Sequence, residues 1–284
     1  MPEASPSTVR LRKIGRTLRT IREESDHTLK TAGRLLERSS SSLSLIENGN
    51  QPLRLRDLAF ILDRYAVPTD LRAALLTLAE QEHQSGWWDT FKDVVTHGGR
   101  DRATLEDCAS LIVSTETTFI PGLLQTEEYA SAVIRGIRTS HSPSTLNRYV
   151  EFRLARQGIL RRAEPATFNV IIDEAALRRV RGGRHVMRAQ LRRLLNDSEQ
   201  DHVSIHVSPL TAEAGPDYAG EFQLTDIGSP PILSVVHADH LTSQWTEEDD
   251  AATTQYREVF EQIRSSTLPE SASQDLIHRI VSEL

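Results

Sequence analysis

The stretch that most constrains this 284-residue chain is Thr28–Pro52, where two short helical runs are separated by only a few residues. Thr28 suits the N-cap of a helix running to about Leu36, because its hydroxyl can accept a first-turn amide hydrogen. After a tight turn, Ser39 suits the cap of a second helix, Ser40–Glu47, in which Leu43 and Ile46 stand three apart and face inward. Asn48-Gly49-Asn50 then stops it, since Gly and Asn tolerate the left-handed conformation that ends helices. Upstream, Ile14, Leu18 and Ile21 recur at helical spacing and predict a helix over Leu11–Glu24. Leu55–Tyr65 and Leu71–Glu82, separated by Pro68-Thr69-Asp70, complete an all-α bundle of five helices over residues 9–83.

With Leu43 and Ile46 buried, Ser40, Ser41, Ser44 and Leu45 are left on or near the outer face of the second short helix. Small side chains there permit close approach to base edges in a major groove. Lys30 and Arg34 on the preceding helix, with Asn48, Asn50 and Arg54 after the reading helix, are placed to grip phosphate, which positions without specifying sequence. The reading face has no Arg, Gln or Asn before Asn48, so its first two turns offer no bidentate base recognition.

Charge supports this division of labour. The chain carries −7 overall, yet residues 1–80 hold 13 Lys/Arg against 10 Asp/Glu (+3), whereas residues 81–284 hold 20 against 30 (−10). Six bases, Arg10, Arg12, Lys13, Arg16, Arg19 and Arg22, face one acid, Glu3, within the first 22 residues. A local excess of this kind suits a polyanion.

Ser39-Ser40-Ser41-Ser42-Leu43-Ser44-Leu45-Ile46-Glu47-Asn48-Gly49 resembles the recognition helix and terminal turn of the Xre/Cro-like helix-turn-helix family. That resemblance implies a transcription regulator bound to a double-stranded DNA operator, with a homodimer expected on paired half-sites. It also implies that Arg22 pairs internally with Glu47, a structural ion pair and not a DNA contact. The sequence departs from the family where Glu37 occupies the turn position usually held by glycine; a non-glycine residue there costs on the order of 1 kcal/mol.

Residues 84–102 read as a linker with weak periodicity, containing Trp87-Trp88 and Gly98-Gly99, and residues 103–284 as a larger α+β domain with one small sheet. Helices are predicted at about 104–116, 126–137, 143–162, 186–196, 247–265 and 271–284. Strands are predicted at 168–172, 202–207, 222–225 and 232–236. Phe119-Ile120-Pro121-Gly122-Leu123-Leu124-Gln125-Thr126-Glu127-Glu128-Tyr129-Ala130, with Arg153-Leu154-Ala155-Arg156-Gln157, Asp173-Glu174-Ala175-Ala176-Leu177 and Gln190-Leu191-Arg192-Arg193-Leu194, resembles the effector domain of WhiJ-type actinobacterial regulators. The resemblance implies a developmental or antibiotic-pathway regulator, antitoxin-like, with a small acidic partner protein from a neighbouring gene. Either that partner or a small-molecule effector is expected to act on this domain, with Trp87, Trp88, Gln125 and Tyr129 as candidate contacts. An antitoxin-like scaffold that sequesters its partner with little DNA binding is the alternative reading.

Other chemistries find little footing. Cys108 is the sole cysteine, which excludes an intramolecular disulfide and a cysteine-rich zinc site, and it reads as a small core residue. His202 with His206, and His237-Ala238-Asp239-His240, make the main case for metal ligands, but His-Ala-Asp-His matches no helical zinc motif, and Asp249-Asp250 is explained by a predicted helix start. No phosphate-binding loop, dinucleotide glycine signature or nucleophile elbow occurs, so no enzyme, cofactor or metal is expected. No apolar run reaches the roughly 18 residues of a membrane span, and the polar start lacks a signal-peptide pattern, so a cytoplasmic location with no membrane partner is expected.

Overall fold

The computed structural model describes residues 7–82, 86–212, 220–239 and 244–284. The chain divides into two compact units, Met1–Gly86 with Gly228–Leu233, and Trp87–Ile227 with Ser234–Leu284.

Among the described residues the first unit holds five helices: α1 (Val9–Glu24), α2 (Leu29–Leu35), α3 (Ser40–Glu47), α4 (Leu55–Arg64) and α5 (Thr69–Glu82). Side-chain oxygens of Thr8, Thr28 and Ser39 accept the amides of Leu11, Thr31 and Ser42, which fixes the starts of α1, α2 and α3. Each of the first four helices ends on a left-handed residue: Asp26, Glu37, Gly49 and Ala66, with φ of 55°, 55°, 69° and 50°. The amides of His27, Arg38, Asn50 and Val67 reach back to the carbonyls of Arg22, Gly33, Leu45 and Leu62, which reverses the chain within two residues each time. The α2–α3 turn therefore forms with Glu37 left-handed and no glycine there. Ile14, Leu18, Leu43, Ile46, Leu58, Leu62 and Leu78 fill the core.

The second unit is α+β with one mixed six-stranded sheet, ordered β3-β2-β1-β4-β5-β6. The strands are β1 (Leu111–Glu116), β2 (Thr167–Asp173), β3 (Val203–Ser208), β4 (Phe222–Ile227), β5 (Leu233–Asp239) and β6 (Gln244–Glu247). β1 runs parallel to β2, and β2 to β3, while β4 pairs antiparallel with β1 and β6 antiparallel with β5. The helices are α6 (His97–Asp107), α7 (Glu127–Ile137), α8 (Pro143–Arg156), α9 (Glu174–Arg178), α10 (Arg184–Asp197), α11 (Asp250–Ser265) and α12 (Glu270–Glu283).

One prediction is overturned here. The helix expected over 104–116 ends at Asp107, and Leu111–Glu116 is a central strand. Leu105, Ala109 and Ile112 have helical spacing, but Cys108 caps α6 and Ser110 donates its amide to Asp226 O at 2.9 Å, joining β4 instead. Likewise the helix predicted over 247–265 starts only at Asp250, with Asp249 as its cap, because Glu247 ends the unpredicted strand β6. Cys108, expected in the core, is only half-buried at that helix end.

Strand alternation sorts the sheet's residues onto two faces. Val113, Ile171, Phe222, Leu224 and Val236 lie under Val259 and Phe260 of α11. The opposite face is apolar on β1, β2 and β3, where Ile112, Phe168, Val170, Ile172, Ile205 and Val207 share a core with Tyr129, Met187, Leu191, Leu194 and Ile277. The same face turns polar further along: Ser114 and Glu116 of β1, Gln223 and Thr225 of β4, and His237 and Asp239 of β5. Against this polar half stand α6 and α8.

Candidate nucleic-acid interface and buried polar layer

In the first unit, α3 is held from behind. An added Cβ on Gly15 of α1 would lie 2.4 Å from Ile46 O and 2.7 Å from Glu47 O, so the α1 backbone touches α3 where only glycine fits. Arg22 Nε donates to Glu47 Oε1 at 2.6 Å and Nη2 to Oε2 at 2.9 Å, with both residues buried. The hydrogen bond from its guanidinium to Glu47 raises the Arg22 pKa further, against the opposing effect of burial. Glu47 thus points into the protein and leaves the opposite side of α3 bare.

On that side Ser40, Ser41 and Leu45 are exposed and Ser44 is half-buried; Leu45 is 47% accessible. Ser40 Oγ donates to Leu29 O at 3.3 Å, and Ser41 lies 3.0 Å from Ser39 Oγ. Lys30, Arg34, Asn50 and Arg54 are exposed as well. Asn48 is also exposed, but its Oδ1 accepts from Arg19 Nη2 at 2.7 Å and its Nδ2 donates to Ser44 O at 2.7 Å. Its amide ties α1 to the end of α3.

In the second unit, the polar half of the sheet forms a buried layer with α6 and α8. Arg156 Nε and Nη2 donate to Glu106 Oε2 and Oε1 at 2.8 and 2.6 Å. Gln223 Nε2 adds a third bond to Glu106 at 2.8 Å, and Arg102 Nε a fourth at 3.2 Å. Arg102 also donates to Asp239 Oδ2 at 2.7 Å and Gln223 Oε1 at 2.8 Å. Burial alone would push Glu106 up, but Arg156, Arg102 and Gln223 outweigh it and hold its carboxyl at about 2. Glu116, by contrast, accepts one hydroxyl bond, from Ser114 at 2.7 Å, and burial reinforced by Glu221 pushes it up to about 7. Burial next to Arg102 likewise pulls His237 down to about 3.

Two family models match the chain. One, described as "Helix-turn-helix domain", covers residues 13–75; the other, described as "Domain of unknown function (DUF5753)", covers residues 100–279 and so well over half the chain. The chain belongs to the DUF5753 family. Neither the curated proteins nor the solved structures compared with it gave a significant match. The helix-turn-helix match places α2 and α3 in a DNA-binding type of domain and points to a regulator rather than an enzyme.

The DUF5753 region contains two of the four candidate effector contacts. Gln125 is buried; its Nε2 donates to Ile120 O at 2.7 Å and its Oε1 accepts from Arg153 Nη1 at 2.9 Å. Tyr129 is fully buried in the apolar core, its hydroxyl accepting the Ile120 amide at 3.3 Å. Just before that region, Trp87 and Trp88 lie in a short 3-10 turn and pack with Phe91 and Phe152, and Trp87 Nε1 donates to Asp107 Oδ1 at 3.2 Å. These four residues do not gather at one site: the tryptophans form an aromatic cluster, Tyr129 belongs to the core, and Gln125 borders the polar layer.

The histidines are dispersed as well. His202 Nε2 meets Leu160 O at 3.0 Å and His206 Nδ1 meets Leu268 O at 3.1 Å. His240 lies outside the described residues, and among those described no three His, Cys, Asp or Glu side chains gather as metal ligands. No helix among them is long and apolar enough to cross a membrane. Sequence reasoning missed Arg102, Glu106, Glu116 and Asp239 as a group. The one visible signal was the Arg102/Glu106 spacing of four on a helix.

Proposed function

We propose that this protein is a sequence-specific DNA-binding transcription regulator of the Xre type, whose DUF5753 domain senses a small partner protein or ligand. The observation that carries the reading is the bare outer face of α3. Ser40, Ser41 and Leu45 are exposed there, Lys30, Arg34, Asn50 and Arg54 are exposed in the same domain, and the acidic Glu47 is turned inward onto Arg22. Serine hydroxyls and amides at the starts of α2 and α3 suit close backbone approach, and Leu45 offers an apolar contact for a thymine methyl. Binding as a homodimer, with the DUF5753 domain supplying the partner interface, completes the proposal, in line with the resemblance to WhiJ-type regulators.

Equilibrium binding to duplex DNA across a salt series tests it. Affinity should fall steeply with salt, because each neutralised phosphate releases counterions. Replacing Lys30 and Arg34 with alanine should flatten the log–log slope by about two per protomer, about four for the dimer. A salt-independent affinity, or no binding to any duplex, would move the reading to a partner-sequestering scaffold.

A further inference from the structure

The buried polar layer of the DUF5753 domain contains two kinds of group. Glu106, Arg156, Arg102, Gln223 and Asp239 satisfy one another, as an internal structural network must. Three neighbours do not fit that pattern. Arg153, one turn from Arg156 on α8, donates to the neutral Gln125 Oε1 at 2.9 Å and has no carboxylate partner among the described residues. Among the described residues Glu116 has only the Ser114 hydroxyl, with no cation paired to it. His237 Nε2 is buried without a partner, on a side chain 3% exposed.

Native interiors leave few groups both buried and unpartnered, as His237 Nε2 is. The ion pairs make the same point: Arg102 is matched by Asp239 and Arg156 by Glu106, which leaves Arg153 as the cation of this layer without a paired carboxylate among the described residues. The layer is also reachable. Arg153 and Glu116 keep partial exposure, and Asp239 at its edge is 67% exposed. Gln125, fixed at its other end by Ile120 O, holds the Arg153 fork in place, with the Gly122 backbone close beside it.

We propose that Arg153 and Glu116 form a binding site for a small hydroxy- or amino-carboxylate. The ligand's carboxylate takes the free edge of the Arg153 guanidinium, and its hydroxyl or ammonium group donates to Glu116. This deepens the ligand-sensing half of the function proposed above and rests on it.

The test is thermal unfolding of the full chain with glycine, lactate, acetate or inorganic phosphate at matched ionic strength, run on wild type, Arg153→Met, Arg156→Met and Glu116→Gln. Duplex binding is measured on the same samples. Without ligand, Arg156→Met should lower the midpoint strongly, because it orphans the charged Glu106, whereas Arg153→Met should lower it less, because it frees only the neutral Gln125 Oε1. Saturating glycine or lactate should raise the wild-type midpoint by about 3 °C and acetate by less. Arg153→Met should abolish the shift, and Glu116→Gln should erase the preference over acetate.

The site is overturned if no probe shifts the wild type, if phosphate and acetate match glycine and lactate, or if Arg153→Met destabilises as Arg156→Met does. Should Arg153→Met not fold, a retained preference in Glu116→Gln overturns it equally. Normal duplex binding alongside any of these results rejects the site while keeping the DNA-binding reading.

Discussion

Arg22 and Glu47 form a two-pronged ion pair, at 2.6 and 2.9 Å, between α1 and the outer short helix α3, with side chains only 9% and 5% exposed. A buried pair gains little over a well-packed apolar pair, but removing one partner strands the other charge at about 3–5 kcal/mol. Glu47→Ala should therefore unfold the first unit at markedly lower temperature. The double change Arg22→Met with Glu47→Leu should recover most of the loss, read by thermal denaturation. Duplex affinity should recover with it; a stable double variant that no longer binds DNA would mean the pair touches DNA.

Close backbone approach gives a second expectation. Gly15→Ala places a methyl carbon 2.4 Å from Ile46 O, so α1 and α3 must separate and stability should drop by about 2 kcal/mol or more. Gly136, near the end of α7, has nothing within 4 Å of its added Cβ, so Gly136→Ala should stabilise by up to about 1 kcal/mol through helix propensity. Denaturant midpoints of the two variants should shift in opposite directions.

The ease of reading the first unit from sequence and the difficulty of reading the second have a common physical origin. Thr28, Ser39 and Gly49 are local signals that act within four residues, so the bounds of α2 and α3 followed from the chain alone. β1 was misread because it is covered on both faces: Ile112 and Val113 are both buried, which hides the alternation of a strand, and Leu105, Ala109 and Ile112 mimic a helix. The polar layer was invisible for another reason. Arg102 and Asp239 meet across 137 positions, and no local pattern records that strands β4 and β5 turn a polar face towards α6.

The acidity of two carboxyls in that layer predicts opposite pH windows. Glu116, raised to about 7, favours the fold when protonated; its contribution is complete below the ordinary carboxylate range and is lost as pH rises through about 7. Glu106, held at about 2, contributes above the ordinary range and loses its contribution as pH falls towards 2. Glu116→Gln should thus remove the decline in unfolding midpoint between pH 5 and 8, a range on the order of the shift itself, while leaving the acid limb in place. An unchanged decline would place the titrating group elsewhere.

Base-facing and phosphate-facing residues should respond differently to substitution. Changing Ser41 to Asn on the exposed start of α3 should alter which duplexes are preferred, by about 1–3 kcal/mol at the contacted base pair. Changing Arg54 to Ala should weaken all duplexes alike. Selection from a random duplex pool distinguishes a changed motif from a uniformly weaker one.

The most direct test of the central claim is genome-wide DNA occupancy of the tagged protein in its native host, alongside a variant with Lys30 and Arg34 replaced by alanine. The account predicts sharp peaks sharing a near-palindromic motif, including one upstream of the protein's own gene, that disappear in the variant. Absence of enrichment for the wild type across several growth conditions, or peaks unaltered in the variant, would contradict it.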